Sequence, residues 1–513
     1  MKVYENEELV KYKKYNIEMQ DSWNERDFVK AVKKYASLQT EKVLAVGGLR
    51  GTGKTVGILQ ALPNDDTCYI LCQKGETESG VDYIQVLKNS GKKNIVIDEY
   101  TWIKDRKELD KYLITAVQNG KRVIITGTES IALDFLKYGT INHRVDNIHT
   151  TMFTYDEYCR VFDKPINVNS CLEYLKTGGL FEDYIIDNYA SMKNYIEEAI
   201  IGNLSNYMGN EITETQSKTL VYSVLYDAIC KSNISKVPLL TENKLTLDNF
   251  LDKMGIDRDF TNFDTYLPRV ADVLEHAGII IKIKNIDENS SLKKQYYLVN
   301  PSISYQLTLA AYDIKEVPKK DMGYMFEASA MVQLYTNKLS EQDIYFYDNE
   351  KSPNRDKNEQ LDIILMDKEK EFAYLFECKL REQPKLEPSN TIMTGHLEKT
   401  LLKNTEICGR YVIYNGRPEV KQWDVGTIIF TPLNNIIDRY FEFETNIEAI
   451  NNSAEKVKKN INADNDIVAS STLSDKSLQF TKDSLKSDLA EKKAVEKDTL
   501  SIPSNEKKQE QSL

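Results

Sequence analysis

Long apolar runs are what this chain most plainly lacks. No segment approaches the ~18 consecutive apolar residues of a membrane span, and the opening Met1-Lys2-Val3-Tyr4-Glu5-Asn6-Glu7-Glu8 is charged, so no secretory leader is expected. Cysteine is sparse, with seven in 513 residues, and an odd, scattered set is not a disulfide framework. Cys68 and Cys72 read as buried thiols; a zinc site needs a second Cys/His pair at metal spacing, and none follows. An excess of basic charge is also missing. Lys and Arg number 67 against 79 Asp and Glu, a formal charge of −12, which argues against a surface coated for nucleic acid while leaving room for a local basic groove. There is no internal repeat. Together these absences lead us to expect a soluble cytoplasmic protein with reduced thiols and no membrane partner. The chain is too long for one core, and two to four domains are expected.

What is present is a phosphate-binding loop. Gly48-Leu49-Arg50-Gly51-Thr52-Gly53-Lys54-Thr55 fits G-x-x-x-x-G-K-[ST]. Backbone N–H groups of such a turn converge on phosphates, and the following helix adds the positive end of its dipole. Lys54 would reach the β- and γ-phosphates and the Thr55 hydroxyl would ligate Mg²⁺. Gly48, Gly51, Thr52 and Gly53 complete the expected cradle. The context agrees: Val43–Val46 is an apolar run before the glycines, and Thr55–Leu62 is apolar at helical spacing until Pro63. Further on, Asn94-Ile95-Val96-Ile97-Asp98-Glu99 reads as a buried strand ending in paired carboxylates, where a doubly wound sheet places its chemistry. Asp98 would hold Mg²⁺ and Glu99 would polarise the attacking water. Arg122–Thr126 is another strand, ending at Gly127-Thr128-Glu129-Ser130. There Thr128 or Thr126 would sense the γ-phosphate, or Thr128 or Ser130 would cap a helix.

The fold class expected is α/β, in four parts. Residues 1–206 alternate strands and helices as parallel βαβ units do. Residues 207–315 are helical and end in a hairpin, Ile279–Ile283 with Gln295–Val299, which is the shape of a winged helix. Its last helix offers Arg269 against Asp264, Asp272 and Glu275, a charge pattern suited to packing or coupling rather than to reading bases. Residues 316–445 are again mixed α and β. Residues 446–513 are rich in Ser, Lys, Asp, Glu and Asn, with Phe480 the sole aromatic; too little apolar area is available to offset ordering, and a disordered tail is expected.

The third part holds a second candidate site. Gln360–Asp367 and Phe372–Leu380 read as strands around the charged turn Lys368-Glu369-Lys370-Glu371. A turn centred between Glu369 and Lys370 sets Asp362 opposite Glu377, and period-two alternation puts Lys379 on the same face as Glu377. The two carboxylates would hold a divalent metal, Mg²⁺ or Mn²⁺, and Lys379 would orient a water and stabilise developing phosphate charge. Glu327, the acidic residue on the helix beginning at Gly323, is a further candidate metal ligand. The alternative is a cross-strand salt bridge of Lys379 with Asp362 or Glu377.

Taken together, the phosphate loop, Ile97-Asp98-Glu99, Ile124-Ile125-Thr126-Gly127 and Tyr174-Leu175-Lys176-Thr177-Gly178-Gly179-Leu180 resemble a family of prokaryotic AAA-type ATPases. Members of that family continue into a winged helix and a C-terminal domain resembling PD-(D/E)XK, restriction-endonuclease-like nucleases. Gly323…Glu327, Glu359…Asp362, Glu377-Cys378-Lys379 and Tyr414-Asn415-Gly416 carry the second half of the likeness. The resemblance implies ATP and Mg²⁺ held by Lys54, Thr55, Asp98 and Glu99. It also implies an arginine finger or nucleotide sensor at Arg144, although Asn142-His143 stands where relatives have Gly before the Arg. Two functional readings follow. One is an ATPase coupled to a metal-dependent nuclease-like domain acting on nucleic acid. The other is an ATP-dependent switch whose nuclease-like domain binds a partner without cleaving. Expected partners are ATP, DNA or RNA, and a second copy of the chain or another protein.

Overall fold

The computed structural model describes residues 1–435, except 19–23, 39, 74, 76, 129–143, 180–186, 203, 205–207, 209–210, 232–244, 291, 320–321, 339–341, 350–358, 384–385 and 387–389. The expected disordered tail, Ser130 and the Asn142-His143 pair lie outside the described residues. The first sheet takes β1 (Lys2–Tyr4), β2 (Val43–Gly48), β3 (Thr67–Leu71), β4 (Asn94–Asp98), β5 (Arg122–Gly127) and β6 (Val145–Thr150). Their spatial order is β1-β3-β4-β5-β2-β6. All neighbours are parallel except β1, which runs antiparallel to β3 along one edge.

Strands β2, β4 and β5 are buried along their whole length, as parallel strands covered on both faces must be. Alternation then sorts their side chains. Leu44, Val46, Tyr69, Val96 and Ile124 face Leu9 of α1 (Asn6–Glu18), Phe28, Val29 and Val32 of α2 (Asp27–Ser37) and Ile58 of α3 (Lys54–Ala61). Val43, Ala45, Ile70, Ile95, Ile97 and Val123 face Tyr83 and Leu87 of α4 (Gly80–Asn89) and Leu109 and Leu113 of α5 (Lys107–Gln118). Each such buried aliphatic side chain contributes about 1.5–3 kcal/mol relative to exposure. The three-layer stack leaves the carboxyl ends of β2, β4 and β5 side by side at one edge.

Helices α6 (Tyr155–Val161), α7 (Val168–Thr177) and α8 (Tyr189–Tyr195) lead away from this sheet into a second, larger core. Next come α9 (Glu214–Tyr226), α10 (Leu247–Met254), α11 (Phe263–His276) and a hairpin of β7 (Ile280–Asn285) and β8 (Lys294–Leu298). On α11, Arg269 is paired with Glu211 at 2.7 Å. Two helices follow, α12 (Pro301–Tyr312) and α13 (Gly323–Asn337).

A boundary at residue 315 does not separate two sheets. Strands β9 (Gln342–Asp348), β10 (Gln360–Asp367), β11 (Phe372–Lys379), β12 (Glu406–Tyr414), β13 (Glu419–Trp423) and β14 (Gly426–Pro432) join the hairpin. The result is one eight-stranded sheet, β13-β14-β12-β11-β10-β9-β7-β8. The junction is short: Lys284 pairs with Tyr345 and Asn285 with Phe346, and the Asn285 amide adds bonds to the Leu292 and Asp348 carbonyls. The edge of β9 would otherwise present unpaired backbone groups. No helix among the described residues is long and apolar enough to cross a membrane.

Candidate nucleotide-binding site

The loop after β2 turns sharply because two glycines allow it. Gly48 has φ of +145°, and a Cβ there would lie 2.1 Å from the Thr150 hydroxyl oxygen on neighbouring β6. Gly53 is left-handed at φ of +76° and immediately precedes α3, so the loop re-enters as a helix N-terminus. Gly51 and Thr52 lie between them, and Thr52 is fully buried with its hydroxyl donating to the Leu49 carbonyl at 2.8 Å.

Lys54 is 6% exposed and donates to the Gly48 and Leu49 carbonyls at 2.8 and 2.9 Å. An ammonium has three N–H donors, so one is left over among these contacts. Burial pushes the Lys54 pKa down, while the charges of Glu99 and then Asp98 hold it up. The Thr55 hydroxyl donates to Asp98 Oδ2 at 2.7 Å. Asp98, 1% exposed at the end of β4, also accepts the hydroxyls of Thr126 and Tyr69. Burial, and then the Asp98 charge, hold the Tyr69 phenol well above its ordinary pKa, so it remains a donor. Hard oxygen donors side by side on Thr55 and Asp98 fit Mg²⁺.

Glu99 follows β4 in the left-handed region at φ of +56°, a conformation that non-glycine residues adopt at a cost. Its backbone N–H donates to the Thr126 hydroxyl at 3.1 Å. The Thr128 hydroxyl donates to its carboxylate at 3.0 and 3.1 Å. Burial raises the Glu99 pKa, the nearby Lys54 opposes this, and Asp98 adds to it. Thus Thr126 and Thr128, the two candidates for sensing phosphate, bear on Asp98 and Glu99 at the end of β4.

Arg26, just before α2, is the contributor that no loop motif announces. Its guanidinium is 3% exposed and binds Glu157 on α6 through Nε at 2.9 Å and Nη2 at 2.6 Å. Nη1 donates to the Thr52 carbonyl at 2.5 Å and the Thr151 carbonyl at 3.0 Å. The group also lies 4.3 Å from the Phe153 ring centroid. It thereby ties the phosphate loop to the segment after β6. On the loop's other side the Tyr195 hydroxyl donates to the Arg50 carbonyl at 3.0 Å.

Arg144 does not join this group. It stands before Val145, which pairs with Val43 at the start of β2, whereas the loop begins at Gly48 opposite Thr150. Five residues of strand at about 3.3 Å each put it at the far end of the sheet. There it pairs with Glu41 at 2.8 Å, away from this chain's own phosphate loop.

In the second sheet, Ile363 lies opposite Phe376 and Ile364 opposite Leu375, the register that carries Asp362 to Glu377. Both carboxylates are buried. Asp362 Oδ2 accepts the Cys378 backbone N–H at 2.8 Å. Lys379 forms an ion pair with Glu377 on the same strand. Glu327 on α13 is buried and accepts the Tyr297 hydroxyl at 3.4 Å. Among the described residues no group of three or more His, Cys, Asp and Glu is set to hold a metal ion. Glu327, Asp362 and Glu377 do not form such a group among the described residues.

Residues 40–159 match the family model of an AAA domain. The chain carries an AAA-type P-loop domain. The match runs from just before β2 through most of α6 and leaves β1, α1 and α2 outside it. No curated protein matches the chain. Among solved structures it is similar to Drosophila ORC bound to DNA, at 11% identity over 56% of this chain and 87% of that one, TM-score 0.21. It is also similar to the Thermotoga maritima RuvB Holliday junction branch migration motor, at 14% identity over 56% and 95%, TM-score 0.23.

Proposed function

We propose that the N-terminal domain binds Mg-ATP and hydrolyses it. The observation that carries this reading is the meeting of Lys54, the Thr55–Asp98 pair and Glu99 at the carboxyl ends of β2 and β4, which flank β5. Lys54 binds the β- and γ-phosphates in place of the carbonyls it now holds. Thr55 and Asp98 hold Mg²⁺, which neutralises phosphate charge. Glu99 takes the proton of the attacking water, and Thr128 keeps its carboxylate oriented until then. Mg-ATP titration by calorimetry tests the assignment. Lys54→Ala removes charge-assisted hydrogen bonds of about 1.5–3 kcal/mol each, and losing two of them weakens binding about 100-fold or more. Unchanged affinity in the variant rejects the phosphate-loop assignment.

A second reading concerns residues 316–445, and the register that brings Asp362 opposite Glu377 with Lys379 beside it favours it. Asp362 and Glu377 hold a divalent cation, Lys379 stabilises charge developing on a phosphodiester, and nucleotide state controls access to DNA or RNA. The divalent ion would supply a Lewis acid at the phosphate. Contacts of α6 with Leu433–Asn435, just after β14, support such coupling. Asp362→Ala and Glu377→Ala should each abolish cleavage with Mg²⁺ or Mn²⁺, and Lys379→Ala should slow cleavage while sparing ion binding. Native protein that cuts neither DNA nor RNA, with or without ATP, while all three variants melt lower, leaves only the Lys379–Glu377 ion pair. In that case the domain is a partner-binding module of an ATP-dependent switch. ATP turnover measured with and without DNA and RNA, over a range of protein concentrations, shows which partner or self-association stimulates it.

A further inference from the structure

Asp98 is held by three hydroxyls, and each comes from a different element. Thr55 belongs to the phosphate loop and Thr126 to the neighbouring strand β5. Tyr69 belongs to no nucleotide motif. It sits on β3, fully buried, with its hydroxyl on the same Asp98 oxygen, Oδ2, that accepts from Thr55. When Thr55 turns its oxygen to an ion, Tyr69 is the donor that still fixes that oxygen.

Tyr69 is itself braced from the N-terminus. Tyr4 of β1 is its direct antiparallel partner. Tyr12 of α1 packs against its ring at 5.4 Å between centroids, tilted by 46°. Tyr4 stacks on Tyr12 at 4.1 Å and 13°. Three tyrosines therefore form a wedge running from the chain's first strand and helix to the Asp98 carboxylate. Both of those elements precede residue 40, where the AAA match begins.

We propose that Tyr69 is a positioning residue for the magnesium side of the nucleotide site, and that β1 and α1 exist in part to hold it there. The proposal rests on the Mg-ATP reading above. Partners that orient a metal ligand from behind commonly govern 10–100-fold in metal affinity, because an unpinned carboxylate must be ordered each time the ion binds. A tyrosine that only fills the core would affect stability and leave the ion untouched.

The test is ATP affinity by calorimetry across a Mg²⁺ titration and again in EDTA, with melting temperature read alongside. Tyr69→Phe keeps the ring and deletes the donor. We expect it to need about 10-fold more Mg²⁺ for the same gain in ATP affinity, with affinity in EDTA within about twofold of native. Tyr12→Leu removes the brace but leaves the hydroxyl, and should shift the Mg²⁺ requirement in the same direction by less. If Tyr69→Phe fails to fold, Tyr12→Leu decides alone by the same titration. An unchanged Mg²⁺ requirement, or equal weakening with and without the ion, overturns the role given to Tyr69. Native protein that binds no ATP overturns the Mg-ATP reading itself and this role with it.

Discussion

Glu99→Gln should bind Mg-ATP as the native protein does and turn it over at least about 100-fold more slowly, the low end of what a positioned general base contributes. The amide keeps the length of the side chain and its contact with the Thr128 hydroxyl, and the left-handed backbone at Glu99 is unaltered. Only the capacity to take a proton is lost. The raised pKa of Glu99 adds a second expectation. A carboxylate whose folded pKa lies above its unfolded value favours folding most when protonated, and that contribution is lost as pH rises through the folded pKa. Ionised Glu99 therefore weighs against the fold near neutral pH, and the neutral amide relieves it, so nucleotide-free Glu99→Gln should melt no lower than native. The same shift moves the acid limb of native turnover above the ordinary glutamate range. Phosphate release and thermal melting across pH measure all three effects. Turnover equal to native would leave Glu99 a hydrogen-bond partner of Thr128 with no part in the chemistry.

The parts of this site that could be read from sequence are the parts that are contiguous. Gly48 to Thr55 is one uninterrupted loop, and Asp98 and Glu99 end one apolar strand, so local pattern sufficed to nominate them. Register in the second sheet was legible for a similar reason. A charged turn of four residues between two apolar runs leaves one pairing that keeps both buried faces buried, and Ile363 opposite Phe376 is that pairing. Side chains that arrive from elsewhere left no such trace. Tyr69 is 29 residues from Asp98 and Arg26 is 131 from Glu157; each reads alone as an ordinary core aromatic or surface cation. Arg144 shows the converse. A likeness nominated it, but β6 lies parallel to β2, and that pairing places the residue just before β6 at the opposite end of the sheet from the phosphate loop. The link between β7 and β9 rests on two residue pairs formed across some sixty positions, too few to impose any periodicity.

Arg26→Ala should be the most destabilising single change in the N-terminal domain. It removes the guanidinium from Glu157, 1% exposed, and the bonds to the Thr52 and Thr151 carbonyls. Removing one partner of a buried ion pair costs about 3–5 kcal/mol, which thermal melting will show as a drop of many degrees. Stability alone would not separate a structural clamp from a part of the nucleotide site. Arg26→Met combined with Glu157→Leu does, because replacing both charges by apolar groups of similar volume is often neutral or stabilising. The pair variant should recover most of the lost melting temperature. It cannot recover the bond from the guanidinium to the Thr52 carbonyl, and that bond fixes the loop between Gly51 and Gly53. Mg-ATP affinity should therefore stay about 10-fold below native in a well-folded protein, the equivalent of one lost charge-assisted hydrogen bond. A pair variant that regains both stability and affinity would make Arg26 a fastener of α2 to α6 and nothing more. One that regains stability only would make it part of the loop that grips phosphate.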